Sequence, residues 1–301
     1  MTLNPQWPLL AIFLFLSTTA RGGPADLPDL TYRTTVSEVR LTFFATNGHN
    51  QAIRQLQPGD FAIVDDGWVI RDFRSFGPSE IAGLNVVVLL DSSESVASGF
   101  RREAAEAIQL IAQTPWIAQD HLSVATFAGA KPGVVCVKTC RELTPNRLLA
   151  APADNATPLF DGIVFAADSL SAHRDENLRP AIILFSDGED TISRNAAASA
   201  IEAALTGDAP IYTVDMNRSP SRSEGSLTLH HLAEATGGAY FSIQDGRVAD
   251  TLLDNLKSTY VVTYKLPRQA AGRHSVRILP AHDLNLQFHC RQSYYSQGSA
   301  R

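Results

Sequence analysis

The sequence predicts an α/β fold, in which a mostly parallel sheet is flanked by helices, together with a smaller β-sandwich-like module. Two observations predict the sheet. Residues 85–90 and 180–185 are almost wholly apolar, which is typical of strands buried on both faces. Such runs alternate along the chain with amphipathic helical patterns, and this alternation indicates parallel strands joined through helices. We assign the α/β unit to residues 84–258.

The alternation continues through this whole region. After the first apolar strand, an amphipathic helix is predicted over residues 100–113. A strand at 121–127 with a short hairpin partner at 133–137 follows it. Gly237-Gly238 is a signal for the end of a helix. The other predicted elements are helices over 159–170, 195–205, 227–235 and 248–257, and strands over 211–215 and 239–243.

Segments on both sides of the α/β unit predict β structure. In the N-terminal segment, residues 30–78, two short strands flank the turn sequence Asp65-Asp66-Gly67 and form a hairpin. The C-terminal segment, residues 259–297, contains further strand patterns. A hairpin alone is only marginally stable in water, so these late strands need a sheet to join. We predict that they pair with the N-terminal segment and complete one module around the α/β unit.

Composition excludes two classes of partner. The 301 residues carry a formal net charge of -6, so no basic face for nucleic acid or anionic lipid is expected. A hydrophobic content of 45% and a charged content of 19% are typical of a protein with a packed core. The sequence does not determine the oligomeric state.

The N-terminus predicts export. Residues 9–16 form an apolar run that is too short to span a bilayer but suits the core of a signal peptide. Thr18-Thr19-Ala20 provides small residues at the cleavage position, although no Lys or Arg occurs among the first seven residues. We predict a signal peptide over 1–20 and no membrane span after its cleavage. The alternatives are an uncleaved anchor or a buried strand.

An exported protein can keep disulfides, and the chain has three cysteines. Cys136 and Cys140 would close a tight turn at the tip of the predicted hairpin. A zinc site is less favoured there, because no His or second Cys pair lies nearby in sequence. Cys290 is either a buried free thiol or the partner of one of the other two.

Oxygen-bearing side chains collect where the apolar strands end. Asp91, Ser93 and Ser95 follow the first apolar strand, and Asp187 follows the second. Thr157 stands just before a predicted helix between them. Open α/β sheets bind ligands at the carboxyl ends of their strands, and hard oxygen donors suit a cation such as Mg²⁺. For Ser93 and Ser95 the alternative is simple capping of the next helix.

Together, these five residues resemble the metal-ion-dependent adhesion site of the von Willebrand factor type A (VWA) family, which has a Rossmann-like sheet. The resemblance covers residues 84 to about 256. Residues 60–73 and the C-terminal tail are also similar to a group of exported bacterial proteins called VWFA-related. That group usually has Gly where this chain has Ser293. The resemblance implies an exported protein of bacterial origin, located in the periplasm, in the cell envelope or outside the cell.

The resemblance also implies how the site works. Ser93, Ser95 and Thr157 would contact the cation directly, while Asp91 and Asp187 would act mainly through bound water. The expected cation is Mg²⁺, with Mn²⁺ or Ca²⁺ as alternatives. Neutral hydroxyl ligands leave the cation electrophilic, so a carboxylate of a partner protein can complete its coordination. The predicted function is therefore divalent-metal-dependent adhesion to an acidic side chain of another protein.

The sequence allows two roles for two nearby acids and two alternative functions for the protein. Asp161 and Asp190 either support the metal ligands through hydrogen bonds or are helix N-terminal and loop charges. A phosphoester hydrolase would need an acid where Ser93 stands, and the chain has no Gly-x-Ser-x-Gly nucleophile motif. We therefore assign no catalytic residue and interpret the scattered histidines as surface or core residues. The remaining alternative is an envelope structural protein with a vestigial metal site.

Overall fold

The computed structural model describes residues 38–80, 83–93, 120–129, 132–138, 140, 156–217, 223–246, 248–267 and 271–296. It also describes Ala105, Ala107 and Gln109, which are helical, within the predicted helix over 100–113. The rest of that helix, the predicted signal peptide and Ser95 lie outside the described residues. All described residues belong to one unit, 36–301.

Strands and helices are labelled here in chain order. The strands are β1 (Glu38–Thr46), β2 (Phe61–Asp65), β3 (Trp68–Ile70), β4 (Ser75–Pro78), β5 (Gly83–Asp91), β6 (His121–Phe127), β7 (Gly133–Cys136), β8 (Leu178–Ser186), β9 (Ile211–Asp215), β10 (Tyr240–Ser242), β11 (Tyr260–Lys265), β12 (Gly272–Pro280), β13 (Gln287–Cys290) and β14 (Ser293–Ser296). The longer described helices are α1 (Leu159–Ala172), α2 (Ala197–Thr206), α3 (Glu224–Thr236) and α4 (Val248–Lys257).

The central sheet has the strand order β10-β9-β8-β5-β6-β7 and is parallel except for β7, which runs antiparallel to β6. Strand β5 is buried along its whole length, as its apolar sequence requires. Helices α1, α2 and α3 cover one face of this sheet, where Ile163, Ala200 and Leu229 are buried. Helix α4 packs on the other face through Leu252 and Leu256. The predicted α/β fold class is confirmed.

The antiparallel module consists of two four-stranded sheets, β13-β1-β11-β4 and β14-β12-β2-β3. Each sheet joins strands from before and after the α/β unit, because β1 pairs with β11 and β13, and β2 pairs with β12. The two sheets share one apolar core. Within it, the rings of Phe43 and Phe61 meet edge to face, with centroids 5.2 Å apart.

Strand β1 connects the module to the α/β unit through its two faces. Because side chains alternate along a strand, Phe43 points into the module and Phe44 points the other way. The Phe44 ring stacks on Tyr212 of β9 at 5.7 Å and on His289 of β13 at 4.4 Å. One aromatic side chain therefore belongs to the core of the central sheet while its neighbour fills the module.

The glycine pair after α3 has a second role besides ending the helix. Gly237 has φ +86°, and a Cβ there would lie 2.5 Å from the backbone N of Arg291. A Cβ on Gly238 would lie 2.0 Å from the carbonyl O of Ile211. Gln292 N donates to Ala235 O at 3.1 Å across the same contact. The C-terminal segment can pack this closely only because Gly237 lacks a side chain, and the lack of one on Gly238 lets the chain pass close to β9.

The disulfide does not lie at the tip of the hairpin, where the sequence predicts it. Cys136 and Cys140 form a disulfide with an S–S distance of 2.00 Å, and Cys290 is a buried free thiol. Cys136 ends β7, at a distance from the turn that joins β6 to β7. The prediction of a disulfide at the tip is therefore wrong in position. Since β7 runs antiparallel to β6, its last residue lies opposite Val124, in the middle of β6.

His289 is expected to make stability depend on pH. Its Nδ1 lies 3.1 Å from Gly238 O and its Nε2 lies 3.0 Å from Thr46 Oγ1. Burial lowers the pKa of His289 to about 4, although the contact with Gly238 O opposes the shift. Between about pH 6.5 and 4 the unfolded chain therefore takes up a proton that the folded chain does not. The free energy of unfolding decreases as the pH is lowered through this window. We expect a loss of about 2–3 kcal/mol at most.

The comparison with His289→Gln isolates this effect. Asp91 titrates in the same window with the opposite sign, because its folded pKa is raised to about 6. In the unmodified protein the two contributions therefore offset each other in part. Lowering the pH from 7 to 4.5 should reduce the free energy of unfolding less in His289→Gln than in the unmodified protein, which urea denaturation measures. Parallel curves for the two proteins would contradict the assignment.

Candidate metal centre

Four of the five predicted metal ligands lie in the described part of the chain, and all four are buried. Asp91 is the last residue of β5, and Asp187 directly follows β8. These strands are parallel neighbours, so both acids reach the same edge of the central sheet. The exposed fractions are 0% for Asp91, 1% for Ser93, 2% for Thr157 and 8% for Asp187.

The Asp91 carboxylate is held by residues from both strands. Ser93 N donates to Asp91 Oδ1 at 3.0 Å, and Ser186 Oγ donates to Asp91 Oδ2 at 2.7 Å. Burial raises the pKa of Asp91 to about 6, and the charge of Asp187 adds to the shift, whereas the hydrogen bonds from Ser93 and Ser186 oppose it. The negative form of Asp91 is thus costly without a nearby cation.

Ser186 is a supporting residue that the sequence analysis did not identify. Its hydroxyl accepts a hydrogen bond from Gly188 N at 3.0 Å while it donates to Asp91. The carboxylate of β5 is therefore oriented by the turn that follows β8. The available sequence signal was the position of Ser186, which directly precedes Asp187 at the end of an apolar strand.

Thr157 is fixed to the loop that follows Asp187. Thr157 N donates to Thr191 Oγ1 at 2.8 Å, and Thr191 N donates to Thr157 O at 2.9 Å. On the other side, Gly129 N donates to Ala156 O at 2.7 Å. The segment before α1 is thus held between the ends of β6 and β8, which brings Thr157 to the same edge as the two acids.

Asp161 and Asp190 brace this loop in the structure. Asp161 accepts hydrogen bonds from Arg194 N and from both Asn195 N and Asn195 Nδ2, the last at 2.8 Å. Burial acts to raise the pKa of Asp161, but these hydrogen bonds outweigh it and lower the pKa below its ordinary value. Asp190 contacts Ser193, whose hydroxyl accepts from Phe160 N at 3.0 Å. Both acids connect the start of α1 to the loop.

Asp215 ends the next strand, β9, at the same edge and has a different role. Its Oδ1 accepts from Asn217 N at 2.8 Å. Its Oδ2 accepts from Ser226 Oγ at 2.5 Å and from Tyr240 Oη at 2.6 Å. Because both oxygens have protein donors, this buried acid anchors the start of α3 and leaves no oxygen that needs a cation.

A tight contact between two glycines fixes the position of Asp187 relative to α3. Gly188 has φ +83°, and a Cβ there would lie 2.1 Å from Gly225 O. A Cβ on Gly225 would lie 2.1 Å from Asp187 O. The turn after β8 therefore rests directly on the first turn of α3.

The donor set fits a hard divalent cation. Asp91 and Asp187 supply carboxylates, and Ser93 and Thr157 supply hydroxyls, so every described candidate is an oxygen donor of the kind that Mg²⁺ prefers. A cation would also compensate the repulsion between the two acids and the cost of burying Asp91. The assignment of individual ligands stays a prediction.

No family model matches the chain. Two curated relatives are the magnesium-chelatase 60 kDa subunits of Rhodobacter capsulatus and Cereibacter sphaeroides. The first is 29% identical over 122 residues, which is 40% of this chain and 22% of that protein. The second is 28% identical over 120 residues, which is 39% of this chain and 21% of that protein. The chain spans about a fifth of the length of these relatives.

Solved structures similar to this chain include VWA-domain proteins. The ArnB paralog VWA2 from Sulfolobus acidocaldarius has a TM-score of 0.43 at 15% identity, covering 85% of this chain and 74% of its own. Proximal thread matrix protein 1 from the mussel byssus, with a zinc-occupied metal-ion-dependent adhesion site (MIDAS) motif, has a TM-score of 0.47 at 13% identity. The match covers 64% of this chain and 50% of that protein. An aerotolerance-related membrane protein from Bacteroides fragilis has a TM-score of 0.45 at 15% identity, covering 57% and 98%.

Among the described residues, no helix is both long enough and apolar enough to cross a bilayer.

Proposed function

We propose that this chain is an exported VWA-type adhesion protein that binds an acidic side chain of a partner protein through a divalent cation. The observation that carries the proposal is the pairing of buried Asp91 with Asp187 at the carboxyl edge of the sheet, beside Ser93 and Thr157. The proposal assigns binding, not catalysis, to this edge.

The hydroxyl and carboxylate residues would have different roles at the cation. Ser93, Ser95 and Thr157 would hold the cation through neutral hydroxyls, and Asp91 and Asp187 would act mainly through bound water. The cation supplies an electrophilic centre for a partner carboxylate. The chain's own contribution is to keep Asp91 ionised and correctly turned, which the hydrogen bond from Ser186 favours. We propose Mg²⁺ as the cation, with Mn²⁺ or Ca²⁺ as alternatives.

Cation binding is expected to stabilise the protein. At a concentration about 100 times the Kd, Mg²⁺ should raise the free energy of unfolding by about 2.7 kcal/mol, which corresponds to a rise of about 5–10 °C in Tm. Thr157→Ala and Asp91→Asn should abolish the rise. Asp91→Asn should also leave the metal-free protein at least as stable at pH 7, because it removes a buried charge. Differential scanning calorimetry with and without EDTA measures both effects.

Thr213→Ala is the matched control. Thr213 is equally buried, in the middle of β9, and its hydroxyl donates to Leu229 O at 3.3 Å. This variant should lose some stability but keep the full response to Mg²⁺. An unchanged Mg²⁺ response in Thr157→Ala would contradict the proposed site.

Partner binding and export need their own readout. Protein recovered from the exported fraction should begin after Ala20, which N-terminal sequencing detects. When immobilised, it should retain a partner that EDTA releases, and Thr157→Ala should retain none. Turnover of a generic phosphoester substrate that disappears in Thr157→Ala would replace the adhesion proposal with hydrolysis.

A further inference from the structure

A cluster of three ionisable side chains, two of them buried, lies in the antiparallel module. Asp65 is the last residue of β2 and is 0% exposed, and Asp66 follows it in the turn to β3. Because β12 pairs antiparallel with β2, with Val276 opposite Asp65, His274 lies beside Asp66. One possible ligand atom from each of Asp65, Asp66 and His274 lies within 4.8 Å of the other two.

The Asp65 carboxylate has protein partners on one oxygen alone. Its Oδ2 accepts hydrogen bonds from Tyr264 Oη at 2.7 Å and Tyr294 Oη at 2.6 Å. Burial, followed by the hydrogen bond to Asp65 and its negative charge, raises the pKa of both phenols, so both stay protonated and donate. Asp65 Oδ1 is buried without a hydrogen-bond partner. Leaving a buried charged oxygen unpaired is unfavourable, and a cation would remove that cost.

The His274 ring is oriented for ligation. Its Nε2 lies 3.0 Å from Ser296 Oγ, and its Nδ1 lies 2.7 Å from Asp66 Oδ2. When Nε2 carries the hydrogen and donates to Ser296, the lone pair of Nδ1 faces the acidic oxygens. Metal-binding histidines are commonly fixed by such a hydrogen bond from the second nitrogen.

We propose that Asp65, Asp66 and His274 form a second divalent-cation site, independent of the predicted adhesion site, which takes a first-row transition metal such as Zn²⁺. An imidazole nitrogen with two carboxylates favours Zn²⁺ over Mg²⁺ or Ca²⁺, which prefer oxygen ligands alone. One dication balances the two carboxylates and supplies the partner that Asp65 Oδ1 lacks. Asp66 is solvent-exposed, so the ion has a route into the cluster.

Binding requires a small contraction of the cluster. Zinc bonds of about 2.0–2.2 Å place ligand atoms roughly 3–4 Å apart, so the groups must approach one another by up to about 1 Å. In the tautomer that binds the cation, the His274 hydrogen is on Nε2, so the cation takes the place of any hydrogen between His274 Nδ1 and Asp66 Oδ2.

The test is a Zn²⁺ titration of the full chain carrying Thr157→Ala, which removes the predicted adhesion site. Isothermal titration calorimetry should show one bound Zn²⁺ per chain. Adding Asp66→Asn or His274→Gln should weaken binding at least about 100-fold. Asn suits the φ of +47° at position 66 and can still accept from Ser275 N, so this variant should fold normally.

His282→Gln is the control, since His282 is exposed after β12 and lies outside the cluster. It should leave Zn²⁺ affinity unchanged. Asp66→Asn in the otherwise unmodified chain should keep the Mg²⁺ response, which separates this proposal from the adhesion site. The proposal would be overturned if Thr157→Ala bound no stoichiometric Zn²⁺. It would also be overturned if adding Asp66→Asn or His274→Gln left the Zn²⁺ affinity of Thr157→Ala unchanged, and an ordinary His274–Asp66 ion pair would remain.

Discussion

Replacing Gly188 with alanine is expected to lower the free energy of unfolding by about 3 kcal/mol or more and to abolish the Mg²⁺ response. Two costs add at this position. A non-glycine residue at φ +83° costs about 1–2 kcal/mol. The new Cβ would also lie 2.1 Å from Gly225 O, so the turn after β8 must move away from α3.

The loss of the cation response follows from the hydrogen bonds of this turn. Gly188 N donates to Ser186 Oγ, which in turn donates to Asp91 Oδ2. Moving Gly188 therefore displaces Asp187 directly and removes the group that orients Asp91. Tm should fall by about 6–12 °C for a loss of 3 kcal/mol in a unit of this size.

Gly67→Ala is a closely matched control for this prediction. Gly67 has the same φ of +83° and no atom within 4 Å of an added Cβ, so it carries the backbone cost without the overlap. It should lose about 1–2 kcal/mol and keep its response to Mg²⁺. If Gly188→Ala were no more destabilising than Gly67→Ala, the contact with Gly225 would not constrain the site.

The central sheet was predictable because its strands end where apolar residues give way to polar ones. Strand β9 and helix α4 have the bounds that the sequence predicts, Ile211–Asp215 and Val248–Lys257. The prediction is less accurate where a terminus is set by a side chain. Helix α3 begins at Glu224, three residues before the predicted start, because Ser223 caps it by accepting from Ser226 N.

Helix α2 shows the opposite error for a similar reason. The predicted start was residue 195, but α2 begins at Ala197. The backbone of Ala196 is extended, with φ -85° and ψ 162°, so the helix starts after it, while Asn195 donates to Asp161 through its backbone N and its side chain. Asp161 lies 34 residues earlier in the chain, so the local sequence pattern does not reveal this contact.

Long-range register explains what the sequence analysis missed about the ionisable residues. The sequence pattern alone indicates a surface or core histidine at His274 and turn residues at Asp65 and Asp66. The hydrogen bond between Asp66 and His274 joins positions 208 residues apart. It exists because β12 pairs with β2 in one particular register. No spacing rule applied to the sequence alone specifies that register.

Phe44→Ala is expected to lower the free energy of unfolding by about 3–5 kcal/mol, because it removes the ring that joins the antiparallel module to the central sheet. Phe44 is 1% exposed and stacks on both Tyr212 and His289. Its loss also admits water to the His289 ring. The pKa of His289 should then rise from about 4 toward its ordinary value of about 6.5.

Phe43→Ala separates these two effects, since Phe43 is as buried as Phe44 but faces the core of the module. We expect a similar loss of stability in urea denaturation, whereas an NMR titration should find the pKa of His289 still low. The two variants change adjacent residues of one strand, so a difference between them reports which face of β1 each ring occupies. A low pKa of His289 in Phe44→Ala would show that the contacts with Gly238 and Thr46, and not the Phe44 ring, keep water from the imidazole.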